Sequence, residues 1–270
     1  MYTHFSPYPL CDIGANLADK SFQRDVEQVL QRAFSANVQT LILTGSSVPS
    51  SQRCAQLARK YPNQLFSTAG IHPHEAQSSN PQAIESLKQL AQHPHVVAIG
   101  ECGLDFHRDF SPRPLQEQSF EAQLQLAVET QLPVFLHQRD AHARFLEILK
   151  PFLSQVPRAI VHCFTGDEAQ LHEYLDLDLY IGITGWICDE RRGYHLQDIV
   201  RHIPKHRIMI ETDAPYLLPR DLSLKPRNRR NEPAFLPHIL QAVAHARKES
   251  PDELAQSTTH NAYTFFALDR

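Results

Sequence analysis

The sequence predicts an α/β chain folded as a single (β/α)8 TIM barrel over residues 1–270. Three observations carry this expectation. Short apolar runs alternate with stretches of helical periodicity eight times along the chain, the repeat that builds a parallel sheet covered by helices. With 270 residues and 42% hydrophobic composition the chain can bury one large core, and barrels of this length commonly form one domain. Four of the apolar runs end abruptly in Glu101, His137, His162 and Asp213, and the C-terminal strand ends are where such barrels carry their chemistry.

Residues 10–13 form the first strand, broken at once by Gly14, so that Asp12 and Asn16 stand near its exit. Val26, Val29, Leu30 and Ala33 fall at helical spacing within 22–34, and residues 41–43 make a second strand closed by Thr-Gly. A helix over 50–61 and a third strand over 65–69 lead to the loop Gly-Ile-His-Pro-His at 70–74. After a helix over 83–92 comes the fourth strand, Val-Val-Ala-Ile at 96–99, apolar at every position and therefore buried on both faces. It runs into Gly-Glu-Cys-Gly, with Glu101 where the strand leaves the sheet.

The loop 105–114 and a strongly periodic helix over 115–130 precede a fifth strand at 134–136. A helix over 143–152 leads to a sixth strand ending at His162, and a helix over 168–175 leads to a seventh at 180–183. Thr-Gly-Trp, a charged loop at 189–192 and a helix over 196–203 follow, and 208–210 is the eighth strand. The irregular Arg/Pro/Asn-rich stretch 219–233 comes next, where barrels often bind phosphate, and 236–248 is the closing helix.

The net charge of -4 excludes a globally basic nucleic-acid coat, so any polyanion must be gripped by a local patch. Five scattered cysteines without a Cys-x-x-Cys pair argue against a disulfide framework or a zinc knuckle and for a reducing, cytoplasmic setting. Neither a basic-then-apolar leader nor 18 consecutive apolar residues occurs, so neither export nor membrane insertion is expected.

Glu101, His137, His162 and Asp213 offer nitrogen and oxygen donors without thiolate, a set that suits Mg2+, Mn2+ or Zn2+ in an open hydrolytic site. Asp213 is the candidate to orient a water or take its proton, so Glu101 and Asp213 carry the catalytic assignment. Singly each has a plainer explanation, since a His at a strand end is more often a hydrogen-bonded core residue. Four such residues at the same end of successive strands are harder to reach by accident. His72 and His74 are candidates to contact metal or phosphate, against the plainer reading of a loop shaped by Pro73. His93 and His95 precede the fourth strand, at the opposite end of the barrel, and are assigned no function. Cys102 and Cys163 adjoin candidate ligands, but alternation turns them away and makes them packing residues. Phe164, Trp186 and Tyr216 are candidates to stack bases. Arg191, Arg192, Arg220, Lys225, Arg227, Arg229 and Arg230 cluster after strands seven and eight, which suits a phosphate-bearing substrate better than a merely solvated charge run.

Six motifs in order, Gly-Ile-His-Pro-His, Gly-Glu-Cys-Gly-Leu-Asp-Phe, Phe-Leu-His-Gln-Arg-Asp-Ala, Val-His-Cys-Phe-Thr-Gly, Glu-Thr-Asp-Ala-Pro-Tyr-Leu and Arg-Asn-Glu-Pro, closely resemble the TatD family of metal-dependent deoxyribonucleases. The resemblance covers nearly the whole chain, from Asp12 to Phe266. It implies an amidohydrolase-like barrel and a soluble cytoplasmic enzyme with Mg2+-dependent 3′–5′ exonuclease action on single-stranded DNA and on RNA, with a part in repair after oxidative DNA damage. It makes Glu101, His137 and His162 the metal ligands and Asp213 the fourth ligand or base. Asn16, His72, His74, Arg229 and Arg230 are the substrate-binding candidates.

One departure bears on metal number. Many relatives carry Asp-x-His-x-His at the end of strand one, where this chain has Asp12-Ile13-Gly14-Ala15-Asn16. Gly14 cannot ligate and Asn16 offers only a neutral carbonyl oxygen, so a second metal is expected to arrive weakly or with the substrate phosphate. The expected partners are free ends of single-stranded DNA and RNA, gripped by stacking with little sequence preference, and the expected state is a monomer. Two rival readings are a metal-dependent hydrolase of a small ester, lactone or amide on the same barrel, and a non-catalytic metal or nucleic-acid binding protein.

Overall fold

The computed structural model describes residues 7–268. Strands and helices alternate in the order β1 (Leu10–Ala15), α1 (Val26–Ser35), β2 (Val38–Leu43), α2 (Val48–Lys60), β3 (Leu65–Ala69), α3 (Pro81–Ala91), β4 (Val96–Asp105), α4 (Arg113–Thr130), β5 (Val134–Arg139), α5 (His142–Leu149), β6 (Ala159–Val161), α6 (Glu168–Asp176), β7 (Tyr180–Ile183), α7 (Tyr194–Ile199), β8 (Ile208–Ile210), α8 (Leu236–Arg247) and α9 (Pro251–Phe265). All eight strands belong to one parallel sheet in sequential order from β1 to β8. Ala15 bridges Ala214 in parallel, Asn16 N donates to Ala214 O at 2.6 Å, and Asp213 N donates to Gly14 O at 2.8 Å. These bonds set β1 beside the exit of β8, as the expected (β/α)8 barrel requires. Among the described residues, no helix is long and apolar enough to cross a membrane.

The chain groups into two compact units, Leu43–His162 and the remainder. In the Leu43–His162 unit, helix starts are written in the sequence: Ser47 Oγ accepts from Ser50 N at the head of α2, and Asn80 Oδ1 accepts from Ala83 N at the head of α3, each followed by a proline in the first turn. Helix α4 buries Phe120, which stacks on Phe145 of α5 with ring centroids 5.2 Å apart. The same buried face carries two amides. Gln123 accepts from Ile71 N at 2.7 Å and donates to Ile71 O at 2.9 Å, while Gln116 accepts from Asp105 N at 2.9 Å. Each satisfies backbone groups at or just beyond a strand end, and so pins the exits of β3 and β4 to α4.

Strand β4 is longer than the sequence suggests. Every residue from Val96 to Asp105 is buried strand, so Glu101 sits within β4 rather than at its end, and the expected loop begins only after Asp105. The pairing explains how a strand residue still reaches the site: Gly100 pairs with Phe135 and Cys102 with Leu136, which leaves Glu101 as the extra residue of a bulge. Its N–H turns to Gly45 O at 2.8 Å instead of joining the β5 ladder. The flanking glycines are required, because Gly100 and Gly103 have φ of +129° and +145° and a Cβ there would collide with the carbonyl oxygens of Phe135 and His137.

In the other unit, β1 runs on through Gly14 and Ala15, so Gly14 does not break it as its composition suggests. Beyond α8 lies a further helix, α9, whereas the sequence predicts 236–248 as the closing element. Its buried face of Leu254, Ala255, Thr258, Asn261, Ala262 and Phe265 is too mixed to show strong periodicity. Ser250-Pro251-Asp252-Glu253 is nevertheless a helix-start signature. Asn261 Nδ2 donates to Lys205 O and Ile208 O, at 2.9 and 2.8 Å, tying α9 to the start of β8.

Candidate metal centre

Within the Leu43–His162 unit, three histidines converge on one carboxylate oxygen. His162 Nε2 lies 2.6 Å, His137 Nδ1 3.0 Å and His72 Nε2 3.4 Å from Glu101 Oε1, and His72 Nε2 lies 3.4 Å from His137 Nδ1. Glu101 comes from the bulge within β4, His137 from within β5, His162 from the residue after β6, and His72 from the turn after β3. Phe135 stacks on His162 with centroids 4.7 Å apart, fixing that ring.

Burial alone would raise the Glu101 carboxyl, but the neighbouring His162, His72 and His137 hold it well below the usual carboxylate range. Burial would raise Asp105 too, but the neighbouring His137 and His74 hold it low in the same way. Burial pushes His72 down to about 4. His137 is also lowered by burial, yet Asp105 and Glu101 outweigh this and raise it.

Glu101 Oε1, His137 Nδ1 and His72 Nε2, 3.0–3.4 Å from one another, are spaced to fit a divalent ion, whereas His162 Nε2, 2.6 Å from Glu101 Oε1, stands at hydrogen-bond distance. Bonds of about 2.0–2.2 Å place neighbouring ligand atoms about 3–3.5 Å apart, and the nitrogen and oxygen donors present suit a cation of intermediate to hard character. His137 supplies a second indication. Its Nε2 is buried without a hydrogen bond of good geometry, 3.4 Å from Asp105 Oδ2, so a small ring rotation gives an Nε2–H to Asp105 bond and frees the Nδ1 lone pair toward the centre.

His72 behaves differently. The His74 backbone N–H donates to His72 Nδ1 at 3.0 Å, so a neutral His72 carries its proton on Nε2, the atom that faces Glu101. A ring protonated there donates rather than ligates, which favours a hydrogen-bonding role over a place among the ligands. His74 in turn meets Asp105, with Nε2 2.7 Å from Oδ2. Asp105, which is not among the candidates the sequence offers, thus stands against both His74 and His137. Its signal is present in the sequence, since Cys-Gly-Leu-Asp continues the run after Glu101 and ends in an acid, as the runs before Glu101 and Asp213 do.

The other unit assembles Asp213 and Asn16. Asn16 Nδ2 donates to Asp213 Oδ1 at 2.9 Å, and Asp213 is half-buried with φ of +53°. Beneath it Asp12 is fully buried, accepting from Thr212 N and Gly14 N, and burial pushes its carboxyl up to about 7 against those hydrogen bonds. Glu211, also buried, accepts from Cys163 N at 2.6 Å.

Several loop residues have other occupations. Arg230 is not a free phosphate donor: it bonds both Asp25 oxygens at 2.9 and 2.6 Å, Glu232 Oε1 at 2.7 Å and Ser21 O at 2.6 Å, and lies over the Phe22 ring. Arg191 and Arg192 share Asp189, and Arg220 pairs with Glu190. Lys225, Arg227 and Arg229 are exposed on the same segment. Phe164 is buried at 3% exposure and is core rather than a stacking surface, whereas Tyr216 is 54% exposed. Arg192 covers the Trp186 ring, 4.4 Å from its centroid. Cys102 is fully buried, as a packing residue should be, and burial pushes its thiol up.

A family model described as TatD related DNase matches residues 11–267. The chain is 53% identical over 257 residues to a protein of Salmonella typhimurium named 3′-5′ ssDNA/RNA exonuclease TatD, covering 95% of this chain and 98% of that one. It is 54% identical over 257 residues to a protein of the same name from Rahnella sp., with 95% and 98% covered. Among solved structures, a TatD homologue from Escherichia coli superposes with a TM-score of 0.87 at 29% identity, covering 96% of this chain and 98% of that one. With its motifs in order, its strand order and its family match along nearly the whole length, this chain belongs to the TatD-related DNase family.

Proposed function

We propose that the protein is a metal-dependent 3′–5′ exonuclease that hydrolyses phosphodiester bonds at the ends of single-stranded DNA and RNA, in repair after oxidative damage. The observation that carries this reading is the approach of His137 Nδ1 and His162 Nε2 to one oxygen of Glu101, at 3.0 and 2.6 Å, in a chain of this family. Glu101, His137 and His162 would hold the cation, with Asp213 as fourth ligand or base. Mg2+ is the preferred ion, with Mn2+ or Zn2+ as alternatives. When bound, the cation supplies Lewis-acid stabilisation of phosphoryl charge and eases deprotonation of water.

The chain's own residues do the rest. Asp105 accepts the His137 Nε2 proton and aims Nδ1 at the centre. The His72 Nε2–H donates to a phosphate oxygen, with His74 beside it, and Asn16 keeps the Asp213 carboxylate oriented through its amide. Arg229, with Lys225 and Arg227, supplies positive charge for the phosphate backbone, while Tyr216 offers a ring to a base. Arg191, Arg192, Arg220 and Arg230 already serve acidic partners, so phosphate recognition falls to fewer cations than their number in the sequence suggests.

The test is incubation of labelled single-stranded DNA with Mg2+, with and without EDTA, beside Glu101→Ala. Stepwise release of mononucleotides from the 3′ end, stopped by both chelator and substitution, is the expected result. A product pattern indifferent to both sinks the proposal.

A further inference from the structure

Cys188, Asp221 and His238 form a second donor cluster that the nuclease reading does not use. Cys188 closes the 3-10 turn Gly185–Cys188 that follows β7, Asp221 lies in the irregular segment after β8, and His238 stands in the first turn of α8. Each offers one donor atom, and the three atoms lie within 4.8 Å of one another. His238 Nε2 is already 2.7 Å from Asp221 Oδ1. Three segments far apart in sequence thus bring a sulfur, an oxygen and a nitrogen to one point.

We propose that this cluster is a binding site for a thiophilic divalent cation, Zn2+ in the first place, which staples the segment after β8 to α8 and to the turn after β7. The donor chemistry selects the ion, since a thiolate with an imidazole and a carboxylate favours Zn2+ and discriminates against Mg2+. The geometry favours it as well. Sγ is anchored in the interior, Cys188 being 4% exposed, while the His238 and Asp221 side chains are 28% and 52% exposed and leave a fourth position open to water.

A buried thiol beside a carboxylate also places two groups that ionise to anions against one imidazole, and a dication balances that set once the thiol proton is gone. Burial, and then Asp221, push the Cys188 thiol up, so its proton is retained until a metal displaces it. Binding forms one metal–sulfur bond and releases that proton to solvent. The segment so restrained is the one that exposes Lys225, Arg227 and Arg229. The site stands independently of the nuclease reading.

Cobalt is the probe, because a thiolate ligand gives Co2+ a near-ultraviolet charge-transfer band that nitrogen and oxygen ligands do not. Neither the Glu101 centre nor the exposed Glu168, His172 and His202 group contains a thiol. Reduced, chelator-stripped protein titrated with Co2+ in excess Mg2+ should develop the band with about one equivalent, and Zn2+ should bleach it. The band should be intact in Glu101→Gln, absent in Cys188→Ser, and shifted to at least tenfold higher Co2+ in His238→Ala and Asp221→Asn. Those two substitutions are at part-exposed side chains and keep the test open if Cys188→Ser folds poorly. No band in the wild type, a band that survives Cys188→Ser, or one indifferent to both His238→Ala and Asp221→Asn overturns the proposal.

Discussion

The backbone N–H of His74 donates to Nδ1 of His72 at 3.0 Å, and this single bond separates His72 from the two histidines beside it. With Nδ1 accepting, the His72 proton sits on Nε2, so the ring is built to give a hydrogen bond. His72→Ala should therefore lower kcat about 10²–10⁴-fold, the usual range for a proton-donating group, while metal affinity changes less than threefold. His162→Ala should instead weaken metal binding steeply. Calorimetric titration of both variants with Mn2+ separates the roles, and a large loss of affinity in His72→Ala would make it a ligand.

Asp105 is expected to act through His137. Asp105→Asn leaves the shape but offers an amide that can present its N–H to the ring, so it should weaken metal binding about 10–100-fold, as loss of a carboxylate behind a ligating histidine does elsewhere. Activity should return as metal concentration is raised. A variant whose activity stays low at saturating metal would show that Asp105 contributes something besides orientation of the ring.

Gly103 tests the bulge that presents Glu101. Its φ of +145° and its closeness to the His137 carbonyl oxygen leave no room for a methyl group. Gly103→Ala should cost about 1–3 kcal/mol in backbone strain and more from the displaced β4–β5 ladder. Thermal melts should show a loss of several degrees together with weaker metal binding. Unchanged melting would mean that the strand pair tolerates the methyl group.

Arg230→Ala probes a lock rather than a substrate contact. Its side chain is 12% exposed and its guanidinium holds Asp25 and Glu232, so its removal should destabilise the fold by about 2–4 kcal/mol. Activity per folded molecule should stay within about twofold. The hydrogen bond from Arg230 lowers the Asp25 carboxyl from its ordinary value. The depressed folded value means that the bond's contribution is complete above the unfolded value of about 4 and fades as pH falls through the folded one. The stability gap between wild type and variant, read by denaturant titration, should narrow from pH 6 to pH 3. A gap that widens toward acid would reverse the assignment.

What the sequence by itself determined was local and periodic. Apolar runs of a few residues, stretches of helical spacing between them, and polar residues at the ends of buried runs are properties of neighbours along the chain, so the eight-fold repeat and the residues Glu101, His137 and His162 could be read without coordinates. The tertiary structure decided everything that depends on a partner far away in sequence. It placed Glu101 in a bulge because β5 pairs on both sides of it, fixed the His72 proton through the turn after β3, brought Asp105 to His74 and His137, and gave Arg230 to Asp25 across 205 positions. A charged side chain reaches for the nearest compensating group in space, and no spacing rule along the chain records where that group will be.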